Sequence, residues 1–101
     1  MAKLSSHLRT FLEYMEVEKG RSMLTVRNYE FYLQRFLTWA KDPDADQIDQ
    51  DMIHKYRLYL NRLASRNEGT LKKSTQNYHL IALRSFLKFL ARRDVKTLSP
   101  E

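Results

Sequence analysis

The chain has 101 residues, 43% apolar and 12% aromatic, with 18 basic and 12 acidic side chains and a formal net charge of +6. That is one small domain with one core, too apolar for disorder, and its charge favours an anionic partner. Two glycines, two prolines and no cysteine exclude a turn-rich β fold, a disulfide framework and thiolate metal sites.

Apolar residues spaced three and four apart predict four helices. The first covers about residues 6–19, with Leu8, Phe11, Leu12, Met15 and Val17 on its stripe, Ser5 or Ser6 as N-cap and Gly20 just past its end. The second covers about residues 23–41, with Ser22 as N-cap and Val26, Tyr29, Leu33, Phe36, Leu37 and Ala40 in line. Asp42-Pro43 ends it, because the residue before proline avoids helical geometry. An acidic connector follows. The third helix covers about residues 49–66, capped by Asp49, with Met52, Ile53, Tyr56, Leu60 and Leu63 on its stripe. After a loop at Asn67-Glu68-Gly69-Thr70, Ser74 caps a fourth helix reaching about residue 93. Gln76, Leu80, Leu83, Phe86, Leu87 and Leu90 line its core face, with His79 beside them. The tail from Asp94 to Glu101 reads as extended. Short connections make two antiparallel hairpins, which bury all four stripes when packed together.

Charge is unevenly placed. Residues 42–53 net −5, whereas residues 21–41 net +3 and residues 54–66 and 67–101 net +4 each. At 100° per residue, the side of the second helix opposite Leu33 carries Leu24, Arg27, Asn28, Phe31, Arg35 and Thr38. The side of the fourth opposite Leu83 carries Ser74, Asn77, Tyr78, Ile81, Ser85, Lys88 and Arg92, with Arg84 at its edge. Cations meet phosphates, asparagine and arginine read base edges, and hydroxyls and helix N-terminal amides hold phosphate oxygens. Charge alone favours an ordinary solvated face. Phe31 and Ile81 are not explained by solvation and fit either a partner surface or packing on a neighbouring helix.

The chemistry of an independent enzyme is missing from the pattern. His7, His54 and His79 lack the spacing of paired helical ligands, two glycines make no phosphate loop, and the acidic connector lacks the glycine and terminal glutamate of a calcium loop. Its aspartates read as caps and solubilising charge. No cofactor and no metal are expected. No apolar run approaches membrane-spanning length and the N-terminus carries no signal-peptide stretch, so a cytoplasmic protein is expected.

Ser22-x-x-Thr25-x-x-x-Tyr29-x-x-x-Leu33-x-x-Phe36, followed by the run from Ser74-Thr75-Gln76-Asn77-Tyr78-His79-Leu80 to Leu90, resembles the core-binding domain of tyrosine recombinases, which include phage integrases and Xer-type recombinases. Phe11-Leu12-x-Tyr14 with Lys19-Gly20, and Ile48-Asp49-x-x-Met52-Ile53-x-x-Tyr56, are similar too. The resemblance implies an all-α, SAM-like four-helix bundle of two crossed antiparallel hairpins, with residues 1–96 as the domain and 97–101 opening a linker to a catalytic domain. It implies double-stranded DNA as partner, held in the major groove by the second and fourth helices. It also implies a monomeric isolated domain and a full-length protein that is oligomeric on DNA. The DNA-binding candidates are Arg21, Thr25, Arg27, Asn28 and Arg35 in the first half of the chain. In the second half they are Lys72, Lys73, Ser74, Thr75, Asn77, Tyr78, Arg84 and Lys88. The N-terminal parts of both helices rank first, and Arg21 and Lys72 are assigned to phosphates. Gln76 departs from the apolar residue usual there and faces either DNA or the core edge. The family's Arg, Lys, His and Tyr chemistry belongs to the other domain. His54-Lys55-Tyr56-Arg57 matches one of its strings, but Tyr56 fits the core stripe. Two other readings remain. One is a protein-interaction bundle contacting through Phe31, Trp39 and Ile81. The other is a helix-turn-helix regulator, disfavoured because its recognition unit joins its helices by a turn of only about three or four residues.

Overall fold

The computed structural model describes residues 3–66 and 72–93, with residues 64–66 described by backbone alone. Four helices form on the predicted stripes: α1 (Leu4–Val17), α2 (Met23–Ala40), α3 (Gln50–Arg66) and α4 (Lys73–Arg92), with a 3-10 turn at Ala45–Gln47. No strand forms among the described residues. A lone antiparallel bridge joins Lys3 to Asp44. The expected loop at 67–70 and the tail and linker from residue 94 lie outside the described residues.

The core follows the apolar period closely. Leu8, Phe11 and Met15 of α1, Val26, Leu33, Phe36 and Leu37 of α2, and Tyr56 and Leu60 of α3 are buried. α4 buries eight side chains, including Ala82, Leu83, Phe86, Leu87, Phe89 and Leu90. α4 packs against all three other helices, and α1 against α2. Aromatic rings join the layers. Phe11 of α1 sits 5.2 Å from Phe86 and 5.3 Å from Phe89 of α4, centroid to centroid. Phe36 and Trp39 of α2 meet Tyr56 of α3 at 4.9 and 5.1 Å. Each of the buried phenylalanine rings among them contributes about 1.5–3 kcal/mol through area removed from water. Val17, by contrast, projects past the end of the α1 stripe and is 76% exposed.

Two helix starts differ from the expectation, each lying ahead of the serine expected to cap it. α1 begins at Leu4, which is fully buried, and neither Ser5 nor Ser6 is its N-cap. The cap arrives from 37 residues away. The Asp42 carboxylate accepts from the Ser5 backbone N–H at 2.9 Å and from the Ser5 hydroxyl at 2.6 Å. The Leu4 N–H donates to the Pro43 carbonyl at 2.9 Å, and Lys3 pairs with Asp44 at 3.8 Å. These bonds satisfy amides that a helix N-terminus leaves orphaned. α4 likewise begins before Ser74, at Lys73, with Lys72 in the cap position and no capping side chain. The other two starts are as read: the Ser22 hydroxyl accepts from the Thr25 N–H, and the Asp49 carboxylate from the Met52 N–H at 2.8 Å.

Turns use the left-handed region where the chain must reverse. Gly20 takes φ +60°, which places the Arg21 N–H on the Met15 carbonyl at 2.9 Å. Lys41 and Asp42 also have positive φ, so α2 ends by turning back on itself and aims the Asp42 carboxylate at α1.

Replacing Asp42 by alanine is expected to lower the unfolding free energy by about 1–2 kcal/mol, the range of a lost helix cap. Asp42→Asn should lose less, because asparagine keeps an acceptor and tolerates positive φ. Urea denaturation of the three proteins measures both.

Candidate nucleic-acid interface

The outward faces of α2 and α4 carry the predicted mixture. On α2, Leu24, Arg27, Asn28, Phe31 and Thr38 are exposed, Thr25 and Arg35 half-buried; Arg21 is exposed just before the helix. On α4, Lys73, Ser74, Asn77, Tyr78, Ile81, Arg84, Lys88 and Arg92 are exposed, Thr75 and Ser85 half-buried; Lys72 is exposed at its cap. Thr25 and Ser22 engage each other, hydroxyl to hydroxyl at 3.0 Å, so Thr25 belongs to the cap as well as to the face.

The face is electrostatically unopposed. α4 has four cations and no carboxylate, and α2 sets Arg27 and Arg35 against Glu30 alone. Among the described residues, the ion pairs join Lys3 to Asp44, Arg9 to Glu13 and Lys55 to Asp51, and none uses a cation of α2 or α4. At the start of α4, Lys72 and Lys73 flank first-turn amides with no capping side chain, where the helix dipole adds positive potential.

Arg35 is positioned rather than free. Its guanidinium lies 5.2 Å from the centroid of the Phe31 ring, a cation–π distance. Phe31 in turn meets Tyr32 and His79 edge-on at 5.9 and 6.3 Å. The exposed Phe31 is thus a platform for an arginine at the edge of the α2–α4 seam. Ile81 has no such role: it is 46% exposed on the outer face. Trp39, by contrast, is half-buried among Phe36, Tyr56 and Tyr59.

α2 and α4 run in opposite senses. Tyr29 shares a cleft with Ser85, Lys88 and Phe89, and three residues further along α2 Tyr32 packs on His79 at 4.5 Å. The two helix N-termini therefore lie at opposite ends of the face, and the leading candidates are not brought into one cluster. Arg21 and Lys88 line the same cleft at one end. Arg35 stands beside His79 near the Thr75 end. Lys73 and Lys88 are about 22 Å apart at 1.5 Å per residue, so the candidates form a strip. Lys19 and Arg92, not among the candidates read from sequence, line the cleft with Arg21 and Lys88. The four-residue spacing of Arg84, Lys88 and Arg92 signals the latter; nothing local signals Lys19.

Two polar core groups sit beneath the strip. His79 is 1% exposed, and its Nδ1–H donates to the Thr75 carbonyl at 2.7 Å, leaving a neutral ring with Nε2 unpartnered. Burial lowers its pKa; the bond to Thr75 works against that, and Arg35 adds to it. Gln76 is buried at the core edge and does not reach the outer face. Tyr56 of the His54-Lys55-Tyr56-Arg57 string is fully buried with its hydroxyl unpartnered, and burial raises its pKa. It is a core residue, as the stripe implied.

The family model described as phage integrase, N-terminal SAM-like domain, matches residues 8–94. The chain belongs to that family. It is 27% identical over 100 residues to the tyrosine recombinase XerC of Anoxybacillus flavithermus and, over the same length, to that of Bacillus subtilis, covering 99% of the chain and 32% of each relative. It is 33% identical over 96 residues to the tyrosine recombinase XerD of Rhizobium meliloti, covering 95% of the chain and 30% of that protein. The SAM-like domain thus spans about a third of the length of these relatives. No solved structure gives a significant match. No described helix is long and apolar enough to cross a membrane.

The His79 geometry gives a pH dependence. The folded domain binds this proton less readily than the unfolded chain, so stability is unaffected above the unfolded-state pKa of 6.5 and declines as pH falls below it. Thermal midpoints measured between pH 7 and pH 5 should therefore fall, and His79→Gln should flatten that decline.

Proposed function

We propose that this SAM-like domain is the DNA-holding domain of a site-specific tyrosine recombinase, with the outward strip of α2 and α4 against the duplex. Residues 1–96 form the domain and 97–101 begin the linker to a catalytic domain that supplies the Tyr nucleophile. The domain itself clamps and positions; strand cleavage and rejoining belong to the parent protein, which acts as an oligomer on DNA. The observation that carries the reading is the α4 face, where Lys73, Arg84, Lys88 and Arg92 stand without a carboxylate on the helix or an ion-pair partner among the described residues.

The physical logic is that of phosphate binding with limited readout. Lys72, Lys73, Arg84 and Lys88 neutralise backbone phosphates and release counterions. The first-turn amides of α4, with Ser74 and Thr75, hold phosphate oxygens. Arg27, Asn28, Asn77 and Tyr78 stand on the same strip, and asparagine and arginine can read base edges when a helix enters the major groove. Arg21 adds a phosphate contact at the far end. Arg35 is held by Phe31 and enters the groove with little further ordering.

A second reading, a protein-interaction bundle, draws on Phe31 and Ile81, which remain exposed. Trp39 gives it little, being packed among three aromatic neighbours.

Titration with random duplex DNA at 50 and 200 mM salt separates the two. Binding should be weak and should fall steeply with salt. Arg27→Ala and Lys73→Ala should each weaken it and reduce the log–log salt slope by about 1. Unchanged slopes in both variants contradict this surface, and no binding at low salt favours the protein-interaction reading.

A further inference from the structure

At the end of the strip away from Lys73, the last turn of α1, the start of α2 and the C-terminal half of α4 enclose an open cleft of about 200 Å³. Four cations line it, Lys19, Arg21, Lys88 and Arg92, together with the Tyr14 and Ser85 side chains, and no carboxylate does. None of the four is in an ion pair among the described residues. Two are steered inward by a neutral group. Arg92 Nη1 donates to the Tyr14 hydroxyl at 3.5 Å, and the Lys19 ammonium lies 6.0 Å from the Tyr14 ring centroid.

Four like charges around one concavity repel each other, although their exposure to solvent screens the repulsion in part. A compact oxyanion removes that repulsion. Its oxygens match the fork of a guanidinium, accept from the ammonium groups, and accept again from the tyrosine and serine hydroxyls. We propose that this cleft is a seat for a phosphate group. Resting on the DNA-binding reading above, we assign that group to the DNA backbone, so that the seat anchors the Arg21–Lys88 end of the strip.

The test has two arms, each comparing the unaltered chain with Lys19→Gln/Arg92→Gln and with a charge-matched control on α3, Lys55→Gln/Arg62→Gln. In the first arm, the isotope-labelled chain is titrated with inorganic phosphate, with chloride holding the ionic strength constant. The amides of Ser85, Lys88 and Arg92 should shift saturably. The cleft variant should weaken that binding about tenfold, and the control should not. Linear shifts without saturation, or equal weakening in both variants, overturn the seat. Superimposable spectra away from the cleft establish that the variants are folded.

In the second arm, duplex DNA replaces phosphate. The cleft variant should lose affinity and reduce the salt slope by about 1 relative to the control. Saturable phosphate with equal DNA binding in both variants leaves a seat for free phosphate and overturns the backbone assignment. Saturable phosphate with no DNA binding by the unaltered chain upholds the seat and overturns the DNA-binding reading. DNA binding that Arg27→Ala weakens, without saturable phosphate, does the reverse.

Discussion

The burial of α4 is the constraint on which this domain depends. It packs against each of the other three helices, and its packing leaves only a strip of its circumference to solvent. That strip cannot take part in the core, so its composition is free to serve another purpose. It holds cations, hydroxyls, an amide and a tyrosine, and no carboxylate. The ring stack of Phe11 on Phe86 and Phe89 ties α1 to the same helix, while Tyr32 on His79 ties α2. Anything that shifts α4 in the bundle therefore shifts the strip as well.

The acidic connector explains how so much positive charge stays unpaired. Four of its five aspartates are engaged at the starts of α1 and α3. Asp42 caps α1, Asp49 caps α3, Asp44 pairs with Lys3 and Asp51 with Lys55. Each bond stabilises a helix end, and together they keep these carboxylates from the α2 and α4 cations. A chain with a modest net charge thereby presents one strongly basic face. The same separation brings Lys19, Arg21, Lys88 and Arg92 around one cleft with no acid to oppose them.

Helix count, core stripes and outward faces were legible in the sequence because they follow from local periodicity. Tyr56 and Leu60, or Phe86 and Leu90, announce their burial by spacing alone. The start of α1 was not legible, since its capping carboxylate comes from Asp42, 37 residues along the chain. The start of α4 was misplaced at Ser74 because a serine is the expected cap, and Lys72 holds that position with backbone alone. The sense of α2 against α4 is a tertiary property with no local signal. It turned two expected clusters at helix N-termini into one strip with distinct ends. Lys19 illustrates the same limit: its neighbours in the cleft come from α4, far along the chain.

We propose the α2–α4 strip as the surface that meets DNA. Amide chemical-shift mapping of the isotope-labelled chain with random duplex DNA at low salt tests it most directly. The largest shifts should fall on Arg27, Asn28, Lys73, Ser74, Asn77 and Arg84. Shifts centred on the outer faces of α1 and α3, or none at all, would contradict it.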